Sequence, residues 1–334
     1  MAFVKIKIGA CDEFYKKVIG QSYFIGVYRA CDWLWAVFDL KCDELGFCLA
    51  LRTRKLIAFL VVGYAVGVST LLFQTLTHNP ILTPSLLGFD ALYVLIQSLM
   101  LFFLGMLSYV TLPTVGKFAF EVAVMMMMSV ILFRFLFTKH NQDLTRLILV
   151  GVIFGTLFRS LSYMVARMIN PDEFVTVQAN SYASFTAINV NLLITSVVLS
   201  VATFIYVWRQ RFALDVLLLG RNCAISLGVP YHKLSLGILM TISLLVSMAT
   251  ALVGPITFFG LLVCALTNRF CTKMAHGERL ILVTLIASST LIVGQAVFEH
   301  IFKMAGVLEV VIELFGGVAF LLLIFTQYNK GKRA

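Results

Sequence analysis

Apolar stretches long enough to cross a lipid bilayer recur along most of this chain. A membrane-spanning helix needs about 20 consecutive, mainly apolar residues, and nine windows fit that requirement. They are residues 56–76, 86–107, 118–137, 144–165, 190–208, 234–252, 254–270, 280–300 and 306–327. We therefore predict an all-α polytopic membrane protein, because a helix satisfies its backbone hydrogen bonds internally and so tolerates lipid.

The composition favours a membrane protein over a soluble one. Of the 334 residues, 60% are hydrophobic and 13% are charged, and a soluble domain of this size could not bury that much apolar surface. The net charge of +10 could favour nucleic acid, but basic residues in a membrane protein usually mark cytoplasmic loops. We expect the lipid bilayer as a partner and no nucleic acid. The seven cysteines have no metal-binding spacing, so no bound metal is expected.

Basic residues in the connections predict the orientation. They gather in residues 134–146, 209–233, 269–279 and 330–333, which the span pattern places on one side of the membrane. Cytoplasmic loops carry an excess of Lys and Arg, so this side and the C-terminus are predicted to be cytoplasmic. Arg52, Arg54 and Lys55 then fall on the external side, where something acidic is their natural partner.

Residues 1–50 are atypical for such a chain. The best span within them, 18–40, carries Arg29 and Asp32 near its middle, and each costs roughly 2.5–3.5 kcal/mol at a helix centre. Two interpretations stay open. Either a marginal first span is held by its neighbours, or a shifted reading frame upstream of Leu51 makes this stretch an unnatural start.

The connection FQTLTHNPILTPSLLGF carries helix-breaking signals. Asn79-Pro80 and Thr83-Pro84 are expected to stop a helix, because a residue before proline is pushed out of the helical region. Gly88 then allows a tight re-entry. A simple turn between helices is the alternative.

A second interrupted stretch is LVGPITFFGLL. Gly254-Pro255 is predicted to break a helix on the external side, and Gly260 to permit close helix contact. A plain kinked hairpin is the alternative here.

The connection 209–233, RQRFALDVLLLGRNCAISLGVPYHK, is too apolar for a mere linker. It contains two short helical stretches, 213–219 and 223–227, separated by Gly220 and followed by Gly228. Short amphipathic helices on the cytoplasmic face suit the groove of a soluble partner. Helices lying on lipid are the alternative.

The motifs LRTRK, FQTLTHNPILTPSLLGF, LLLGRNCAISLGV and LVGPITFFGLL occur here in the order and spacing of the FecCD family. Those proteins are the permeases of ATP-binding-cassette (ABC) importers for iron-siderophores, haem and cobalamin. The similarity runs from about Leu51 to the C-terminus, so residues 51–330 are expected to form the permease domain. MINPDEFVTVQANSYASF resembles the subset that imports ferric siderophores, often catecholates.

The resemblance implies an architecture of about ten membrane helices, like that of the cobalamin importer. Two permease subunits would surround a central pathway, with two ATPase subunits below them and a periplasmic siderophore-binding protein above. In the family an external Arg-x-x-Arg pair receives acidic residues of the binding protein. Arg52 matches the first position and Lys55 the second, and Arg54 replaces the usual proline.

The resemblance also implies that the loop 209–233 docks in a cleft of the ATPase and transmits its closure. The matching positions are Leu219, Gly220, Arg221, Leu227, Gly228 and Val229. An apolar docking area on a rigid turn would pass nucleotide-driven motion to the membrane helices.

Some positions depart from the family pattern. Cys264-Ala265 replaces the usual Pro-His, and Glu299 and His300 stand where a third docking arginine often lies. These departures fit a subunit that pairs with a different permease, so a heterodimer is favoured over a homodimer.

Arg159 is a cation inside a predicted span. Intramembrane charges generally face a cavity or a pathway, so contact with an anionic siderophore is one interpretation, and snorkelling to the interface is the other. Gly316 and Gly317, in the predicted span 306–327, are further candidate residues of the pathway.

The chain contains no GxxxxGK[ST] sequence and so has no P-loop for ATP. We expect a transport subunit rather than an enzyme, with no cofactor of its own and with ATP and Mg²⁺ on the partner ATPase. It would carry ferric siderophore into the cytoplasm across the bacterial inner membrane. The alternative, an ion-gradient-driven secondary transporter, needs carboxylates within the membrane. The candidates are Asp90, Glu121, Glu299, Glu309 and Glu313.

Overall fold

The computed structural model describes most of the chain. The described residues are 45–136, 144–180, 182–185, 188–270 and 275–300, with short helical pieces at 310, 312–314 and 317–318. They form helices and connections, without a strand. The candidate span 18–40, most of the window 306–327, and Glu309 and Gly316 lie outside them.

Helices follow one another along the described residues. They are α1 (Leu45–Thr77), α2 (Phe89–Thr111), α3 (Thr114–Leu136), α4 (Leu144–Ala166), α5 (Pro171–Asn180), α6 (Val190–Leu217), α7 (Arg221–Ser226), α8 (Tyr231–Val253), α9 (Phe259–Phe270) and α10 (His276–His300). A single 3₁₀ turn, Ser85–Leu87, precedes α2.

Seven described helices are long and apolar enough to cross a membrane: α1 to α4, α6, α8 and α10. They confirm seven of the nine predicted windows. The window 254–270 forms only the 12-residue α9, about 18 Å long at 1.5 Å per residue. It is shorter than predicted because α8 ends before Gly254, and residues 254–258 are not helical.

The centre of the bundle is α1, which packs mainly along α10 and α8. Val62, Val68 and Leu72 of α1 are fully buried. By contrast, only 28%, 22% and 28% of the residues in the apolar windows of α3, α4 and α6 are buried. Those outer helices therefore provide the faces available to lipid or to a second subunit.

The predicted division of the connection 209–233 is partly wrong. The stretch 213–219 is not a separate short helix, because α6 continues without a break from Val190 to Leu217. The sequence from Arg209 to Leu217 contains no glycine or proline and many good helix formers. Only the second stretch forms its own short helix, α7.

Candidate functional site

The candidate docking and coupling residues lie near opposite ends of the apolar span of α1, Arg52–Thr77. Lys55, near the first residue of that span, contacts Glu299 near the end of α10, and Thr75, near its last residue, contacts His276 at the start of α10. The two helices are therefore antiparallel. Lys55 and Thr75 are about 30 Å apart along the helix axis, which is the thickness of a bilayer's hydrocarbon core.

At the first end, the basic group is partly engaged within the chain. Lys55 Nζ lies 3.0 Å from Glu299 Oε1, and Gln295 Nε2 donates a hydrogen bond of 2.7 Å to the same oxygen. The Lys55 and Glu299 side chains are 25% and 19% exposed. Arg54 is exposed and Arg52 is partly exposed. Glu299 therefore replaces the family's arginine with an acid that binds a candidate docking cation.

At the opposite end, the segment from Leu218 to Val229 presents apolar side chains outward. Leu219, Ile225 and Leu227 are 61%, 53% and 62% exposed. Ala224 on the inner side of α7 is buried. Since this segment lies beyond the membrane-spanning part of the bundle, its apolar surface suits a soluble partner.

The turn after α7 is fixed by backbone hydrogen bonds. Val229 N donates to Ala224 O, and Gly228 N donates to Ile225 O, both at 3.0 Å. With Gly228 at φ +82°, this is the Schellman arrangement that ends a helix in a left-handed residue. The segment thus offers an apolar surface on a rigid turn.

The segment between α1 and α2 folds back into the bundle. After α1 ends at Thr77, Asn79 Oδ1 accepts a hydrogen bond from Ile81 N, and Gln74 Nε2 donates to Pro80 O. Pro84 precedes the 3₁₀ turn Ser85–Leu87. The re-entering backbone is therefore held by its own polar side chains.

Gly88, which precedes α2, is the point of closest approach to α4. Its φ is +91°, and a Cβ atom there would lie 2.6 Å from the Cα of Gly155. Leu87 covers Gly151, one turn earlier on α4. These contacts fix the position of α4, which carries Arg159 one turn beyond Gly155.

The second interrupted stretch joins α8 to α9. Gly254 follows α8, where Ser184 N donates to Val253 O at 2.9 Å. Pro255 is buried in the non-helical link. Gly260 packs directly against Thr70 of α1.

Charges inside the membrane-spanning region include Asp90 and Arg159. Both Asp90 carboxylate oxygens are buried, and the side chains of Thr257 and Ser85 lie close to them. The charges of Arg159 and Glu313 both act on this carboxylate. Arg159 itself is exposed on α4. A Cβ atom at Gly317 would meet no atom of the described residues within 4 Å.

Glu121 belongs to a separate buried group between α2 and α3. Gln97 Nε2 donates a hydrogen bond of 2.8 Å to Glu121 Oε1, and Lys117 Nζ lies 4.0 Å from that oxygen. Tyr109 donates to Gln97 and accepts from Lys117. This carboxylate is therefore neutralised and hydrogen-bonded within the protein.

Sequence reasoning missed several polar residues at the coupling end. They are Thr75, His78, Asp215 and His276, which contact one another or the end of α6. Nothing local in the sequence signals these pairs, because they join distant helices. Among the described residues, no group of His, Cys, Asp or Glu is arranged to hold a metal ion.

The arrangement is that of a multi-pass helical membrane protein with a basic group at one end and an exposed apolar segment at the other. The sequence model of the FecCD transport family matches residues 22–326. The chain belongs to this family.

Curated relatives and a solved structure agree with that assignment. The petrobactin import system permease protein YclO of Bacillus subtilis (strain 168) is 37% identical over 306 residues, 92% of this chain and 96% of the relative. The petrobactin import system permease protein FatC of Bacillus anthracis is 35% identical, covering 83% and 78%. An inward-facing structure of a metal-chelate type ABC transporter matches with a TM-score of 0.73 at 20% identity, covering 82% and 87%, which shows the fold.

Proposed function

We propose that this chain is the permease subunit of an ABC importer that takes ferric siderophore from an extracytoplasmic binding protein into the cytoplasm. The observation that carries the proposal is the exposed apolar segment Leu218–Val229 at one end of a FecCD-family bundle. The names of the relatives make a petrobactin-like ferric catecholate the first cargo to test.

One of the two ATPase subunits would bind the coupling segment of this chain, and the two together would supply all the chemistry. ATP and Mg²⁺ belong to those subunits, and this chain is a transport subunit without catalysis of its own. The exposed Leu219 and Leu227 would enter the ATPase cleft, with Gly220 and Gly228 shaping the turns. Arg221 is exposed on α7 and would contact the rim of the ATPase cleft.

The binding protein would dock at the other end, through Arg52, Arg54 and Lys55. Opposite charges favour such an encounter and make it salt-dependent. That end would then be external, and the coupling segment and the C-terminus would lie in the cytoplasm of a bacterial cell. The bundle would lie in the cytoplasmic (inner) membrane.

A second, different permease subunit would complete the pathway. The outward apolar faces of α3, α4 and α6 leave room for it. Arg159 on α4 would attract an anionic ferric siderophore, and Gly316 and Gly317 would leave space for its passage.

The decisive experiment is uptake by proteoliposomes that contain the permease pair and the ATPase subunits. ATP is enclosed inside, and the binding protein loaded with ferric petrobactin is added outside. We expect uptake that requires ATP hydrolysis and persists when ionophores abolish every ion gradient. Uptake that does not require ATP but is lost when ionophores are added would instead establish a secondary transporter. Asp90 would then be the first carboxylate to substitute.

A further inference from the structure

The end of α6 is fastened to the bundle just before the coupling segment begins. Asp215 lies two residues before the end of α6, and its Oδ1 accepts hydrogen bonds of 2.8 Å from both Nδ1 and the backbone N of His276. The His276 side chain is fully buried. The first residue of α10 is thus bound directly to the last turn of α6.

The same imidazole reaches α1 through its other nitrogen. His276 Nε2 lies 2.9 Å from Thr75 Oγ1. A carboxylate only accepts hydrogen bonds, so we assign the Nδ1 proton to the bond with Asp215. In the neutral ring Nε2 then accepts from the Thr75 hydroxyl. One side chain therefore links α6, α10 and α1.

Two further contacts hold this end of α6. His78, the residue after α1, lies with Nε2 2.9 Å from the carbonyl oxygen of Leu217. One turn earlier on α6, Arg211 packs against Gly277 of α10. A Cβ atom at that glycine would lie 3.2 Å from Arg211 Cδ. Arg211 also stacks on Trp208, 4.4 Å from the ring centre. The last turns of α6 are fixed on several sides.

We propose that His276, bound between Asp215 and Thr75, is the positioning residue that passes movement of the coupling segment to the membrane helices. This inference rests on the proposed function. A displacement of α7 by the ATPase reaches α6 after the turn at Leu218–Gly220. Through Asp215 and His276 it reaches α10, and through Thr75 it reaches the central helix α1. Without this bridge, less of the movement of α6 would reach α1 and α10.

The sharpest test compares two buried threonines on the last turn of α1. The hydroxyl oxygens of Thr75 and Thr77 lie 2.9 Å and 2.8 Å from the carbonyl oxygen four residues earlier. Only Thr75 also has a contact with His276, and its single hydroxyl proton is assigned to His276 Nε2. The complexes carry Thr75→Val or Thr77→Val, and both import and ATP hydrolysis are measured in the proteoliposomes described above. We expect Thr75→Val to keep its ATPase activity while import per ATP falls about fivefold or more, a typical coupling effect. Thr77→Val should retain the wild-type ratio.

Substitutions of His276 separate the two arms of the bridge. His276→Asn keeps an N–H near the Nδ1 position and so the bond to Asp215, whereas His276→Ala loses both bonds. We expect His276→Asn to recover part of the import per ATP that His276→Ala loses. If His276→Ala does not assemble with the ATPase, the threonine pair decides the question alone.

The outcomes distinguish this inference from the proposed function. A wild-type complex without ATP-driven import would overturn both. A wild-type complex that imports, together with Thr75→Val and His276→Asn complexes of unchanged import per ATP, would overturn the bridge alone.

Discussion

Lys55 on α1 and Glu299 on α10 form an ion pair across 244 residues of sequence, with 3.0 Å between Nζ and Oε1. The pair lies at the end that we propose for docking of the binding protein. A carboxylate of that partner must therefore compete with Glu299 for the lysine. Arg52 and Arg54 are then the residues expected to make the first contact.

Removing the internal competitor should strengthen docking. We expect Glu299→Gln to tighten binding of the binding protein by roughly 1.5- to 5-fold, the range for a partly exposed ion pair of about 0.2–1 kcal/mol. The measurement is a titration of the detergent-solubilised complex with the binding protein at low salt. Glu278→Gln, which changes the same charge at the opposite end of α10, is the control and should leave the affinity unchanged. Equal or weaker binding by Glu299→Gln would show that the pair serves only to hold α1 against α10.

Cys223 reports on the coupling segment. It lies exposed on α7, whereas Cys264 is buried. With the remaining cysteines replaced by alanine, we expect a maleimide to label Cys223 rapidly in the free permease and several-fold more slowly once the ATPase subunits bind. A single cysteine at Arg54→Cys, at the other end of the bundle, should stay reactive throughout. Unchanged labelling of Cys223 in the full complex would place the ATPase elsewhere.

Gly88 should be more sensitive to substitution than a glycine of the same backbone conformation in open space. Gly88 and Gly228 have φ of +91° and +82°, but among the described residues a Cβ atom at Gly228 would meet nothing within 4 Å. Gly228→Ala should therefore cost only the left-handed backbone strain, of order 1 kcal/mol. Gly88→Ala adds a collision with Gly155 and should lower the melting temperature in detergent clearly further. Equal shifts for the two variants would mean that α4 moves away from Gly88 without cost.

Arg159 should act through its charge. We expect Arg159→Ala to abolish most uptake of an anionic ferric siderophore and Arg159→Lys to preserve it, as measured in the proteoliposomes. Arg167→Ala, just beyond the end of α4, provides a control for loss of one exposed arginine. If all three variants take up iron as the wild type does, the Arg159 side chain only extends to the membrane interface and does not attract the siderophore.

Much of the bundle follows from one requirement that the sequence displays directly. A helix in lipid must be apolar for about 20 residues, so hydropathy alone locates α1 to α4, α6, α8 and α10. Helix breaks are also local, because proline and glycine act on their own backbone, and the stop of α1 before Asn79 is visible in the sequence. The end of α6 is different. By hydropathy the predicted span stops before Arg209, Gln210 and Arg211, although these residues favour a helix and α6 continues through them.

The polar contacts of the candidate site could not be predicted in this way. Lys55 pairs with a residue 244 positions away, and Thr75 with one 201 positions away. Such pairs depend on which helices become neighbours, and hydropathy carries no information about neighbours. The family resemblance identified Glu299 only as a missing arginine. The structure adds what that acid does instead.

The unbroken length of α6 has a consequence for the end of the protein that lies opposite the coupling segment. At 28 residues, or about 42 Å, it runs from the end proposed for the ATPase to the opposite surface, where Asn189 at its start donates a hydrogen bond to Thr114 of α3. An unbroken helix that moves at one end also moves at the other. Substitutions at Asn189 or Thr114, far from the proposed ATPase contact, are therefore expected to alter the rate of ATP hydrolysis by the partner subunits.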